Sequence, residues 1–126
     1  MRLTGMELGA GLMAVLVIGG AAVAGLPEAL GAHPWWGFKT GLVGAVIGFA
    51  LFVILAWSRA PGIWALLIGL AILVLAGLAA FYGKQVFVAS IGDDAVAGRF
   101  WFIGWFGVNT GACLALAAGL AFLRRV

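Results

Sequence analysis

Charge is what this sequence has least of: seven Lys and Arg and four Asp and Glu in 126 residues, 9% of the chain. Metal centres and acid–base pairs draw on several ionisable side chains at once. So sparse a set argues against an enzyme. There is one cysteine, Cys113, which cannot close an intrachain disulfide and says nothing about redox compartment. There is one histidine, His33, whereas a membrane b-type haem needs two axial ligands, so no cofactor is expected in this subunit alone. The net charge of +3 is scattered over segment ends instead of gathered on one face, and nucleic acid is not an expected partner.

What fills the chain instead is apolar: 66% hydrophobic residues and a mean hydropathy of +1.25, far outside soluble composition. Four uncharged runs stand out, residues 8–26, 40–57, 63–82 and 100–123. Each is about the 17–25 residues that cross a hydrocarbon core as a helix. They lack the two-residue alternation of barrel strands, and backbone in lipid must bond internally, so helices are expected. The fold class is therefore all-α: one membrane domain spanning residues 1–126, an integral four-transmembrane-helix bundle with both termini cytoplasmic.

The connections differ. Ser58 to Gly62 is so short that the second and third helices should be antiparallel neighbours, the surest tertiary contact. Residues 27–39 carry Pro27, His33, Pro34, Trp35 and Trp36 and should lie along the interface. Residues 83–99 form the longest connection; Gly92 and Asp93 read there as a helix start, with Asp93 as cap and Asp94 favoured by the dipole. The last helix then begins near residue 94 or 100. Arg2 ahead of an apolar stretch ending Ala22-Val23-Ala24 matches a signal-cleavage pattern, but the run is long for one, and a retained first helix is expected. Arg2, Arg59, Arg124 and Arg125 share one side against Lys39, Lys84 and Arg99. The count places the termini in the cytoplasm of a bacterial-type inner membrane, by a margin narrow enough for dual insertion.

Glycine, with 21 copies, is the most informative residue. The last helix carries Gly107, Gly111, Ala115 and Gly119 at four-residue intervals. The second carries Gly37, Gly41, Gly44 and Gly48, and the third repeats Gly62, Gly69, Ala76 and Gly83 every seven. Small faces let backbones approach closely, the main means of helix association in lipid. Two readings stay open: the rows hold the four helices together, or they meet other transmembrane subunits or copies of the chain.

Asn109 and Thr110 are the polar pair deep inside a span, with Cys113 one turn on. An intramembrane amide either makes an interhelical hydrogen bond or lines a path, and a path ordinarily shows an ionisable group at that depth. Glu7 sits near the start of the first helix, where the dipole favours an acid. His33, Trp35 and Trp36 gather on one interface with Trp101 and Trp105, the latter within a collar completed by Phe100, Phe102 and Phe106. Interfacial anchoring is the plain account; the collar could equally seat lipid, a quinone or a pigment ring at a subunit interface.

Val108, Asn109 and Gly111 resemble the Val-Asn-x-x-Gly signature of small dual-topology fluoride channels, but here the spacing is one residue short and the motif lies on the last helix. Small multidrug transporters share the length and helix number, yet place a glutamate inside the first helix, where Glu7 is at its edge. From His33 to Arg59, with interfacial aromatics and then Val43-Gly44-Ala45-Val46-Ile47-Gly48-Phe49-Ala50 running to a basic end, the chain resembles small uncharacterised membrane proteins encoded beside proton-pumping, antiporter-like respiratory subunits. It lacks that family's acidic, tyrosine-rich tail. This resemblance implies a non-catalytic accessory subunit of a larger, energy-transducing membrane complex, with lipid and other transmembrane subunits as partners. The alternative is a small homo-oligomeric channel or transporter with a path near Asn109 and Thr110.

Overall fold

The computed structural model describes residues 1 to 125 along the backbone and 1 to 124 in side-chain detail. It contains five helices: α1 (Gly5–Val23), the single-turn α2 (Leu26–Ala29), α3 (Gly37–Trp57), α4 (Gly62–Ala89) and α5 (Ala95–Arg125). Four are long and apolar enough to cross a membrane. The chain is a four-helix membrane bundle with no strand among the described residues.

The helix ends follow local chemistry. Thr4 caps α1 in a capping box with Glu7, whose carboxylate accepts from the Thr4 amide at 3.2 Å and from the Thr4 hydroxyl. This box starts the helix three residues earlier than the apolar run suggests. At the other end of the chain's longest connection, α4 does not stop at Tyr82 but continues through Lys84 and Gln85 to Ala89. At about 1.5 Å per residue, those extra seven residues carry α4 about 10 Å past the apolar run, toward headgroup depth. The expected loop 83–99 thus shrinks to five residues. Asp94, not Asp93, caps α5, its Oδ1 accepting from the Ala97 amide at 3.0 Å. The loop 27–39 is shortened likewise by α2 and by α3 starting at Gly37.

Two Schellman turns close helices on residues other than glycine. After α3, the Ala60 amide bonds the Leu55 carbonyl and the Arg59 amide that of Ala56; after α4, Gly92 bonds Phe87 and Ile91 bonds Val88. Arg59 and Ile91 consequently hold left-handed φ of 61° and 57°. For β-branched Ile91 that conformation is strained.

The packing order corrects one expectation. The Ser58–Gly62 turn reverses the chain, yet α3 and α4 scarcely touch along their length. Both pack on α5 instead, as does α1, which also lies against α3. The reason is the distribution of small residues. From Gly69 on, the seven-residue row of α4 faces α5, while Gly62 has open space beside it: a Cβ added at Gly69 would stand 2.6 Å from the Ala115 amide nitrogen, and one at Gly83 would stand 2.6 Å from that of Trp101. From α5, a Cβ at Gly107 would meet Ala76 at 2.5 Å and one at Gly111 the Leu73 nitrogen at 2.5 Å. Backbones this close exclude any side chain larger than hydrogen. The row on α3 faces the other flank of α5, with Gly44 against Asn109 and Gly48 against Cys113, while Gly41 meets Ala22 of α1. Hence α5 is the hub, with half of its apolar window buried, against 17% for α4.

A core of small side chains, Ala10, Ala14, Ala45, Ala65, Cys113 and Ala117, packed around Phe52 and Leu114, fills the end of the bundle carrying the termini. A second, aromatic cluster forms around Trp101 at the opposite end.

Candidate functional site

Gly25 and Gly31, with φ of 91° and 116°, bracket α2 and fold the first connection back over the bundle. The Gly31 carbonyl accepts a hydrogen bond from Trp101 Nε1 at 3.0 Å, tying this connection to the start of α5 across 70 residues of sequence. His33 then lies among indoles, its ring 5.8 Å from Trp36 in a stack and 5.6 Å from Trp101 edge-on. Its Nδ1 accepts from the Trp35 amide at 3.1 Å. Trp36 in turn meets Trp101 at 5.3 Å and Phe102 at 5.1 Å. Three of the sequence-predicted aromatics, Trp35, Trp36 and Trp101, are thus brought together with His33, around a shallow cavity of about 340 Å³ that Arg99 also borders.

Trp105 is the exception. It is one turn beyond Trp101 but lines a different and larger cavity, about 810 Å³, on the flank of the α4–α5 pair beside the connection that follows α2. The walls are Leu73, Gly77, Ala80, Trp105 and Val108, and the rim holds Leu30, Lys84 and Gln85. The Lys84 ammonium stands 5.7 Å from the centroid of the Trp101 ring, a cation–π contact, and beside Gly31. Sequence reasoning counted Lys84 only as a topological charge. Its place became readable only with the continuation of α4 to Ala89.

The intramembrane polar residues are engaged by backbone. Asn109 is 7% exposed, and its Nδ2 donates to the Trp105 carbonyl one turn earlier at 2.8 Å. Its side chain is pressed against Gly44. Thr110 is equally buried, and its carbonyl faces Gly48. Thr40 Oγ1 donates to the Gly37 carbonyl at 2.7 Å. Neither of the two cavities described borders Asn109 or Thr110.

Gly41, Gly44, Gly48, Gly107, Gly111 and Ala115 are all turned inward, as the preceding contacts show, whereas Gly119 has open space beside it. Of the two readings left open, these contacts favour the first for all but Gly119: neighbouring helices of the same chain lie against the rows. At the termini end, Glu7 is fully buried inside its capping box, and the Arg124 guanidinium lies over Gly9. The sequence Thr4-Gly5-Met6-Glu7 carries the capping-box signal and could have placed Glu7 without a structure.

Among the described residues, no group of three or more His, Cys, Asp and Glu is placed to hold a metal ion. In comparisons with known proteins, the chain matches no family model, no curated protein and no solved structure.

Proposed function

We propose that the chain is a non-catalytic small subunit of a larger membrane assembly, acting through the surfaces it presents to neighbouring membrane components. The observation that carries this reading is the treatment of Asn109. An amide near the bilayer middle is the natural start of a path, and here it is turned back onto the Trp105 carbonyl and wedged on Gly44. An amide whose nitrogen bonds back within its own helix and whose side chain is packed on glycine contributes to packing, not to conduction. That weighs against the channel reading.

The surfaces left for partners are large and apolar. α4 is covered on the α5 side, while Val74, Leu75, Leu78 and Phe81 stay exposed. Because the glycine rows are occupied internally, subunit contact would rest on these bulky side chains and on the aromatic end with Trp35, which is 82% exposed. The assignment to an energy-transducing complex of a bacterial inner membrane rests on the resemblance from His33 to Arg59, and the cytoplasmic placement of the termini on the arginine count. The test is purification of the tagged chain from its native membrane in mild detergent. Other multi-pass chains recovered at fixed stoichiometry support the reading, and recovery of this chain alone as a homo-oligomer opposes it.

A further inference from the structure

We propose that the groove between α4 and α5 is a binding site for one anionic phospholipid, with an acyl chain along Leu73, Gly77 and Val108 and its phosphate at Lys84. Three features of the groove lead there. Its walls are apolar and it holds about 810 Å³ of space on the flank of the bundle that faces lipid. Its length fits: the lining runs along α4 from Leu73 to Ala89, and the stretch below the lysine, from Leu73 to Lys84, is about 16 Å of helix axis at about 1.5 Å per residue, close to half of a hydrocarbon core about 30 Å thick. One leaflet's chain therefore matches the groove, and a species spanning both leaflets does not.

The third feature is charge. The Lys84 ammonium is in the half of the groove nearer the headgroups, one turn of α4 short of Val88 and Ala89, held there by the Trp101 ring at 5.7 Å and by the nearby Gly31 turn. Trp101 is fixed in its turn by its bond to the Gly31 carbonyl. A freely snorkelling lysine would sample the whole interface, whereas this one is stationed above an apolar slot. A positive group above an acyl-sized channel is complementary to a phosphate ester bearing a fatty chain. A quinone has no negative head to match it. Gln85 at the same rim offers an amide to the ester or glycerol oxygens.

Native mass spectrometry of the intact chain, delipidated in detergent and titrated with phosphatidylglycerol or with phosphatidylcholine of the same acyl composition, tests this. The wild type should retain one phosphatidylglycerol with about fivefold preference, the value of about one favourable lysine–lipid charge contact. Lys84→Gln should bring the two lipids to parity. Gly77→Leu should suppress retention of both, because the site beside Gly77 is open except for Val108 at 4.0 Å, so the new side chain fills the groove without parting the helices. Unchanged thermal stability of Gly77→Leu confirms that only the groove has been altered. Equal retention of the two lipids by the wild type, indifference to Lys84→Gln or Gly77→Leu, or displacement of phosphatidylglycerol by added menaquinone would each overturn the proposal.

Discussion

Replacing Gly111 with leucine puts a branched side chain where two helix backbones nearly touch. A Cβ at this position would lie 2.5 Å from the Leu73 nitrogen, 2.7 Å from the Gly69 carbonyl oxygen and 2.9 Å from the Leu73 Cα. All three are backbone atoms of α4, so no rotamer change relieves the clash. Moving from 2.5 Å to the 3.4 Å at which ordinary contact begins requires α4 to shift by about 0.9 Å for the Cβ alone. The rest of the leucine demands more. Overpacking costs about 1–3 kcal/mol in well-packed cores, and a site walled by backbone belongs at the upper end. The control is Gly119→Leu, where nothing lies within 4 Å and the change should stay within about 0.5 kcal/mol. Reversible unfolding of the isolated chain in mixed micelles, followed by the fluorescence of its six tryptophans, measures both. Gly111→Leu should lose about 3 kcal/mol in the isolated chain. If it leaves the chain as stable as wild type and only dissolves a complex, the row is intermolecular and the α4–α5 packing described here is refuted.

Ile91→Gly should stabilise the chain by about 1 kcal/mol in the same titration, since glycine takes the left-handed position after α4 without the Cβ penalty; a loss of stability would show that the exposed isoleucine is held by something else. Trp101→Phe removes the bond to the Gly31 carbonyl, a cost of about 1 kcal/mol. Hydrogen exchange should then quicken in residues 26–36 and not in the buried length of α3, and an unchanged pattern would mean the bond does not hold the connection. Cysteines introduced at Ser58 and Ser90, with Cys113→Ala as background, should label from opposite sides, Ser90 from the periplasm. Labelling of Ser90 equally from both sides would establish dual insertion.

The four spans were legible in the sequence because lipid imposes a single rule, about twenty uncharged residues per crossing. Most of the inner-facing positions were legible too, as Gly69, Ala76 and Gly83 of α4, Gly41, Gly44 and Gly48 of α3, and Gly107, Gly111 and Ala115 of α5 show. Which rows would pair was not. Chain proximity favoured α3 with α4, joined by four residues, whereas complementarity between Gly69, Ala76 and Gly83 of one helix and Gly104, Gly107 and Gly111 of another drew α4 to α5. Spacing along a chain fixes which face is small, not which partner face it fits. The ends were misread for a related reason. Hydropathy falls at Gly83, Lys84 and Gln85, but a helix is a property of backbone bonding and continues through a polar turn at the membrane surface. That error concealed the groove, because Lys84 had to be on α4 before it could crown a cavity between α4 and α5. The aromatic end was nearer the surface of the sequence: His33, Trp36 and Trp101 were grouped by membrane depth alone, and the structure brings their rings within 6 Å.

The central claim is that small-residue rows hold one chain together around α5, leaving partner contact to its outer surfaces. Disulfide trapping between Gly69→Cys and Ala115→Cys, in the Cys113→Ala background, tests it most directly. A Cβ at Gly69 lies 3.0 Å from the Ala115 Cβ but also 2.6 Å from the Ala115 backbone nitrogen, so α4 and α5 must part by about 0.8 Å to admit it, a shift that brings the two Cβ atoms into the roughly 3.5–4.5 Å separation that disulfides require. Mild oxidation in native membranes should give an intrachain bond, a monomer that runs faster on a non-reducing gel and loses both free thiols. A crosslinked dimer, or two thiols that stay free under the same oxidation, would contradict the account.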